Sequence, residues 1–260
     1  MPHNATTPPR VTPPYRPMID LHTHILPGLD DGASTLDDSL ALARLAVADG
    51  ITHMAATPHG PGIDLSKTIA RRQEALHTLK AALAQEAIPL TVIPGLEYCS
   101  DGNAIDNVIR HPECFLGYPS AANSRYLLLE IPPQISLGFI SHQLFKAQLQ
   151  NINLILAHPE RHQEFSKNIR LLKELMDKGL ILQFNADSFT GGFFSRLPRR
   201  QMTVLIRHNP DHVIIASDAH DPDWRPPVLS CARKPICSAL GDDAWNQVTR
   251  QNPARILGIN

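Results

Sequence analysis

Seven short runs of aliphatic and β-branched residues recur along this chain, separated by longer stretches of helical periodicity. The runs are MIDLHTH (18–24), ITHMAAT (51–57), LTVIPG (90–95), YLLLEI (126–131), NLILAH (153–158), LILQFNA (180–186) and HVIIASD (212–218). Such alternation is the pattern of strand and helix units wound on a parallel sheet. In the first interval Leu36, Leu40, Ala43 and Val47 share one face, Thr35 and Asp38 form a capping-box pattern, and Gly50 stops the helix. In the second, Ile69, Leu76, Leu79 and Leu83 repeat on one face. Both helices read as amphipathic covers for a sheet.

With 260 residues, 43% of them hydrophobic, the chain can bury a substantial core. No repeat, linker or low-complexity tract interrupts the pattern after residue 17, so 18–260 is expected to be one domain. The leading segment MPHNATTPPRVTPPYRP (1–17) is too rich in proline for regular structure and reads as a flexible extension, with Met18 as an alternative start. It has no positive-then-apolar signal pattern, which suggests a cytoplasmic protein. The 24 basic and 25 acidic residues leave a net charge of -1. There is accordingly no global field for nucleic acid or anionic membrane, and no apolar run of bilayer length for insertion. Cys99, Cys114, Cys231 and Cys237 show no Cys-x-x-Cys spacing.

The polar residues gather at the ends of the runs. His22 and His24 end the first, His59 follows the second in TPHG, and Glu97 follows the third in PGLE. His158 closes the fifth in LAHPER, and Asp218 and His220 close the last in SDAH. In a closed parallel barrel all strand carboxyl ends open on one rim, where active sites assemble. His22 and His24, two apart on a strand, point to the same side, and the same holds for Asp218 and His220. His53, inside a run, is assigned to the core or barrel wall.

Taken singly, each feature has an ordinary explanation: a His-x-His pair is often coincidental, Asp30-Asp31-Gly32 is a turn signal, and a His-Pro can simply end a strand. Together they are harder to dismiss, because five imidazoles and their carboxylates are costly to bury unpaired. Divalent ions resolve that cost, and mixed nitrogen and oxygen donors suit zinc, manganese or iron.

In this order DLHTH, DDGA, ATPH, PGLE, AHPER and SDAH resemble the motifs of the polymerase and histidinol phosphatase (PHP) superfamily. The stretch 18–59 is similar to the capsular and exopolysaccharide protein-tyrosine phosphatases of bacteria within it, and the similarity runs from about Met18 to Asp221. The resemblance implies an α/β fold, a distorted (β/α)7 barrel, holding up to three divalent ions, Mn2+ first and Fe or Zn next. It implies one ion on His22, His24, Glu97 and Asp218, and a second bridged by Glu97 and taking His158. A third would take Asp31, His59 and His220, with Asp31 preferred to Asp30 because the family's ligand directly precedes the glycine. Arg161 and Arg225 match arginines placed beside the substrate phosphate, where a planar guanidinium binds two oxygens. The sequence departs from that branch after His59, in GPGID, and after Glu97, in YCSDGN.

The implied chemistry is hydrolysis of phosphotyrosine by a metal-activated water, with His24, Asp218 or another rim residue supplying the leaving-group proton. No cysteine has an arginine six positions on, so the Cys-x5-Arg loop of thiol phosphatases is missing. The expected substrate is a phosphotyrosine-bearing protein, the C-terminal tail of a membrane tyrosine autokinase that controls polysaccharide export. Two other readings stand beside it: a PHP phosphatase for a small phosphomonoester such as histidinol phosphate, and a catalytically idle partner of such a kinase. The complete ligand set argues against idleness.

Overall fold

Each of the seven runs forms a strand in the computed structural model, which describes residues 17–121, 125–132, 137–192 and 194–259. The extension expected at 1–17 lies outside the described residues except for Pro17. In chain order the strands are β1 (Met18–Thr23), β2 (Ile51–Ala56), β3 (His59–Gly60), β4 (Thr91–Pro94), β5 (Glu97–Cys99), β6 (Tyr126–Glu130), β7 (Asn153–Ala157), β8 (Ile181–Asn185) and β9 (Val213–Ala216). Two sheets form, β1-β2-β4 and β3-β5-β6-β7-β8-β9, with every pairing parallel.

Among the described residues nine strands stand where seven were expected, because the second and third each resume beyond a break. Pro58 and Pro94 have no N–H for a ladder, and the pairing that restarts after them joins β3 to β5 in the other sheet. Gly95 sits where a Cβ would lie 2.7 Å from Leu116 Cδ2 and 2.8 Å from Thr57 Cγ2, so only glycine fits this crossing. The breaks carry His59 and Glu97 inward, side by side in register. On the far side, β1 meets the segment after β9 through one parallel bridge, Thr23 to Ala219, and the N–H of Asp218 donates to the carbonyl of His22 at 2.9 Å.

Helices follow the strands: α1 (Leu36–Asp49), α2 (Leu65–Gln85), α3 (Ala104–Arg110), α4 (Leu137–Leu149), α5 (Gln163–Lys167), α6 (Ile169–Asp177), α7 (Arg199–His208) and α8 (Arg233–Leu240). The capping box at Thr35 and Asp38 is formed, Gly50 closes α1 at φ 94°, and Asp64 caps α2 by accepting from the N–H of Lys67. Leu40, Ala43, Ile69, Leu76, Leu79 and Leu83 are buried as their spacing required.

Alternate strand residues serve two separate cores. Met18, Leu127, Leu129, Leu154 and Leu156 pack outward under the helices. Ile19, Leu21, Leu128, Ile155, Ile181 and Ile214 meet one another in a second cluster between strand faces. Among the described residues no helix is long and apolar enough to cross a membrane.

Candidate metal centre

The end of β1 sets the first two donors. Nε2 of His22 and Nε2 of His24 lie 3.3 Å apart, as two residues on the same side of a strand end require. Glu97 opens β5 and presents Oε2 at 3.3 Å from His22 Nε2 and 3.4 Å from His24 Nε2. Asp218 adds Oδ1 at 3.4 Å from each of the same nitrogens. Donor atoms about 2.0–2.2 Å from one ion are separated by about 3.3–3.6 Å in a tetrahedral shell, so each carboxylate oxygen stands from the two imidazoles at a spacing that suits a shared ion.

His22 and Gln183 define how the cluster is held. Nδ1 of His22 donates to Gln183 Oε1 at 2.8 Å, leaving Nε2 turned toward the carboxylates. The Gln183 amide donates to Asn185 Oδ1 at 2.8 Å, and Asn185 in turn donates to Asp218 Oδ2 at 3.0 Å. Arg161 and Arg225 both place Nη2 on that same oxygen, Arg225 at 2.6 Å. The two predicted phosphate-site arginines are thus brought together at the carboxylate of Asp218.

Asp218 and His220 do not share a strand as expected. β9 ends at Ala216, and Asp218 takes a left-handed φ of 54°, turning the chain so that Oδ1 faces the His22–His24 pair. His158 is likewise left-handed, at φ 30°. Positive φ at two non-glycine residues on one site is costly and concentrates where function requires the orientation.

Two further groups flank these four residues. On one side His158 Nε2 lies 2.8 Å from Glu97 Oε1 and 3.9 Å from Glu130 Oε1. On the other, Asp31 Oδ1 lies 3.3 Å from His59 Nε2 and 3.4 Å from His220 Nε2, with His24 close enough to join them. Gly32 allows the turn to fold onto the strand, since a Cβ there would meet the His24 carbonyl oxygen at 2.2 Å. Glu130 escaped the sequence reading although it ends its run just as the chosen residues end theirs, and Gln183 and Asn185 carried no signal beyond being polar in an apolar strand. His53 stands apart on β2, half-buried against Thr52.

The donor set fits a cation. Burial opposes ionisation of Glu97 and Asp218, but the charge of His22 and hydrogen bonds from neighbouring imidazoles hold both carboxyls well below the usual range. His24 is raised well above its ordinary value: burial disfavours its charge, yet contacts to Asp218, Asp30 and Glu97 outweigh that. His220 is pushed down to about 4 by burial and by the charge of His24. Glu97 Oε2, fully buried, has His59 Nδ1 at 2.9 Å and the Nε2 atoms of His22 and His24 at 3.3 and 3.4 Å, but none of them in good hydrogen-bond geometry. Imidazoles and carboxylates so crowded ask for positive charge at their centre.

Fold and site together define a class: parallel α/β proteins that gather histidines and carboxylates from strand ends into groups fit to hold metal. Within that class, the profile of the family described as "Capsular polysaccharide synthesis, CpsB/CapC" matches residues 18–258, and the chain belongs to that family. It is 34% identical over 204 residues, 78% of each chain, to the tyrosine-protein phosphatase YwqE of Bacillus subtilis. A solved structure from the pair YwqE of Bacillus subtilis and CpsB of Streptococcus pneumoniae, described as unique metal-dependent tyrosine phosphatases, is 30% identical. It superposes with a TM-score of 0.81 over 93% of this chain and 94% of that one. A histidinol phosphate phosphatase from Lactococcus lactis, solved with Zn, L-histidinol and phosphate, is 16% identical with a TM-score of 0.57, covering 87% of this chain and 95% of that one. At that identity the likeness is one of fold, which is TIM-barrel-like.

Proposed function

We propose that this protein is a metal-dependent protein-tyrosine phosphatase. The observation that carries the reading is the convergence of Glu97 and Asp218 on the imidazoles of His22 and His24, each carboxylate oxygen 3.3–3.4 Å from both Nε2 atoms. Named tyrosine phosphatases among its relatives support it. Residues 18–260 act as one domain, a distorted (β/α)7 barrel, which the enclosed cluster around Leu21, Leu128 and Ile155 supports.

Up to three divalent ions belong to the site, Mn2+ first, with Fe or Zn as the alternatives. His22, His24, Glu97 and Asp218 hold one. Glu97, Glu130 and His158 hold a second, and Asp31, His59 and His220 a third. Bound there, such ions lower the pKa of a water toward neutrality and polarise a phosphoryl oxygen. Arg161 and Arg225 bind the phosphoryl group: a guanidinium carries five N–H donors, so anchoring through Nη2 on Asp218 is compatible with bidentate phosphate contact. His24 and Asp218 are poor sources of the leaving-group proton, because Nδ1 of His24 is given to Asp30 and Asp218 Oδ2 is taken by three donors.

Thiol chemistry is disfavoured independently. Burial pushes Cys114 and Cys231 up to about 12 and Cys99 and Cys237 up to about 11, so little thiolate exists at neutral pH. All four thiols are free, which fits a reducing cytoplasm. The substrate is a phosphotyrosine-bearing protein, the C-terminal tail of a membrane tyrosine autokinase in capsule or exopolysaccharide synthesis. Metal content measured beside turnover of a phosphotyrosyl peptide, a phosphoseryl peptide and histidinol phosphate tests the reading. Preference for the phosphotyrosyl peptide is expected, and preference for histidinol phosphate overturns it.

A further inference from the structure

A groove lined by cations leads away from the rim. Its first part lies in the loop between β8 and α7, where Ser188, Thr190, Ser195, Arg196 and Arg199 line a cavity. Its second part shares Arg199 and runs between α7 and α8, past Arg200, Thr203, Arg207, Lys234 and Ser238. Among the described residues no Asp or Glu lines either part. On a chain whose charges almost cancel, the part between α7 and α8 is a local field of one sign, while the carboxylate of Asp187 lies against Gly192 at the first part.

The groove opens beside the metal centre. The N–H groups of Arg196 and Leu197 donate to the carbonyl of Glu160 at 2.6 and 3.0 Å, and Ser188 Oγ donates to Glu160 Oε1 at 3.2 Å. The ring of Phe194 lies 5.3 Å from Cζ of Arg161. These contacts tie the loop to the turn that carries His158 and Arg161. The chemistry proposed above uses none of Arg199, Arg200, Arg207 or Lys234.

We propose that this groove binds an acidic, extended polypeptide segment of the protein substrate and so holds its phosphotyrosine at the rim. The link to phosphotyrosine rests on the phosphatase reading, whereas the binding of an acidic segment does not. A concave channel between two helices, with Val204, Pro235 and Ala239 beneath its cations, suits a single extended chain better than a flat membrane surface. The part between α7 and α8 has no aromatic side chain on which nucleotide bases would stack. Exposed charges of this kind act on encounter and affinity more than on the chemical step.

The test uses the full chain loaded with Mn2+. Fluorescence anisotropy measures binding of an unphosphorylated Glu/Asp-rich peptide, a neutral peptide, a single-stranded oligonucleotide and anionic phosphatidylserine vesicles. Turnover is followed on acidic and neutral phosphotyrosyl peptides and on a small aryl phosphate. The triple variant R199E/R200E/K234E is expected to lose acidic-peptide binding and to raise KM for the acidic phosphopeptide about tenfold. Its kcat and its turnover of the small aryl phosphate should stay at the parent values. R199Q/R200Q/K234Q, which removes charge without reversing it, should show the same loss more weakly, with unchanged circular dichroism. Equal binding of acidic and neutral peptides by the parent overturns the proposal, as does tighter binding of the oligonucleotide or the vesicles. Acidic-peptide binding that the variants lose, with no phosphotyrosyl turnover in the parent, upholds the groove and sinks the phosphatase reading instead.

Discussion

The carboxylate of Asp30 meets Nδ1 of His24 at 2.7 Å, while its neighbour Asp31 turns toward His59 and His220. Asp30 Oδ2 also accepts the N–H of His59 at 2.9 Å, and Oδ1 that of Gly32 at 3.0 Å. Although burial favours the neutral acid, the His24 contact and these donors bring Asp30 down to about 2. It is ionised at any working pH and accepts the Nδ1 proton of His24, which turns Nε2 toward Glu97 and Asp218. Adjacent aspartates therefore do different work: one orients an imidazole, and the other faces the flanking cluster with its side chain 66% exposed.

Asp30→Asn should weaken metal affinity about 10- to 100-fold while leaving the number of ions bound at saturation unchanged. Asp31→Ala should instead lower the saturating stoichiometry, by removing a donor from the cluster with His59 and His220. Metal titration followed by elemental analysis separates the two. Identical behaviour of the variants would show that the assignment of roles is wrong.

The double variant His22→Ala/His24→Ala should lose bound metal and turnover together, because both Nε2 atoms face Glu97 and Asp218 at the spacing of donors to one ion. Full metal content and parent turnover in the folded variant would remove these residues from the site.

Replacing Cys99, Cys114, Cys231 and Cys237 by serine should leave phosphotyrosyl turnover within a few-fold of the parent, since their thiols are pushed up to about 11–12. A chelator should abolish it. Inactivity of a folded, metal-loaded, cysteine-free protein would point to thiol chemistry.

Two small substitutions close together in sequence should part company. Thr35→Ala removes the cap of α1 and should cost about 1 kcal/mol of stability with no change in metal affinity. Gly32→Ala places a Cβ against the carbonyl of His24, so it should lower both stability and metal affinity. Thermal unfolding with and without Mn2+ distinguishes them, and equal metal affinity in both variants would refute the packing argument at Gly32.

The strands and their polar ends were legible because hydrophobic period and residue type both act locally. MIDLHTH announces a buried strand and the two imidazoles at its end at once, and LAHPER does the same for His158 after β7. Pro58 and Pro94 lack the N–H that a ladder needs, but the restart of pairing in the other sheet, which the seven-run reading did not include, depends on which strand is nearest in space. Only the family resemblance favours Asp31 over Asp30; the residues themselves do not separate them, since their difference is one of turn geometry around Gly32. Glu130 lay hidden because its contacts with His158 and Glu97 come from other strands. Gln183 and Asn185, in LILQFNA, look like polar lapses in a buried strand until His22 and Asp218 are seen to hold them. The strand of Asp218 was misjudged for a similar reason, because its left-handed turn is imposed by contacts with β1.

Arg161 and Arg225 converge on Asp218 Oδ2, where Asn185 also donates, while Asp218 Oδ1 faces the imidazoles. Changing either arginine to lysine leaves Asp218 with two donors and a neighbouring positive charge, so metal content should hold. What lysine cannot reproduce is the planar fork that binds two phosphoryl oxygens. Arg161→Lys and Arg225→Lys should therefore each reduce phosphotyrosyl turnover about 100- to 1000-fold, equivalent to about 2.7–4 kcal/mol of transition-state stabilisation. Elemental analysis of each variant is needed beside the kinetics, because loss of metal would mean that the arginines act by holding Asp218. Parent turnover in both variants would show that neither guanidinium touches the phosphoryl group.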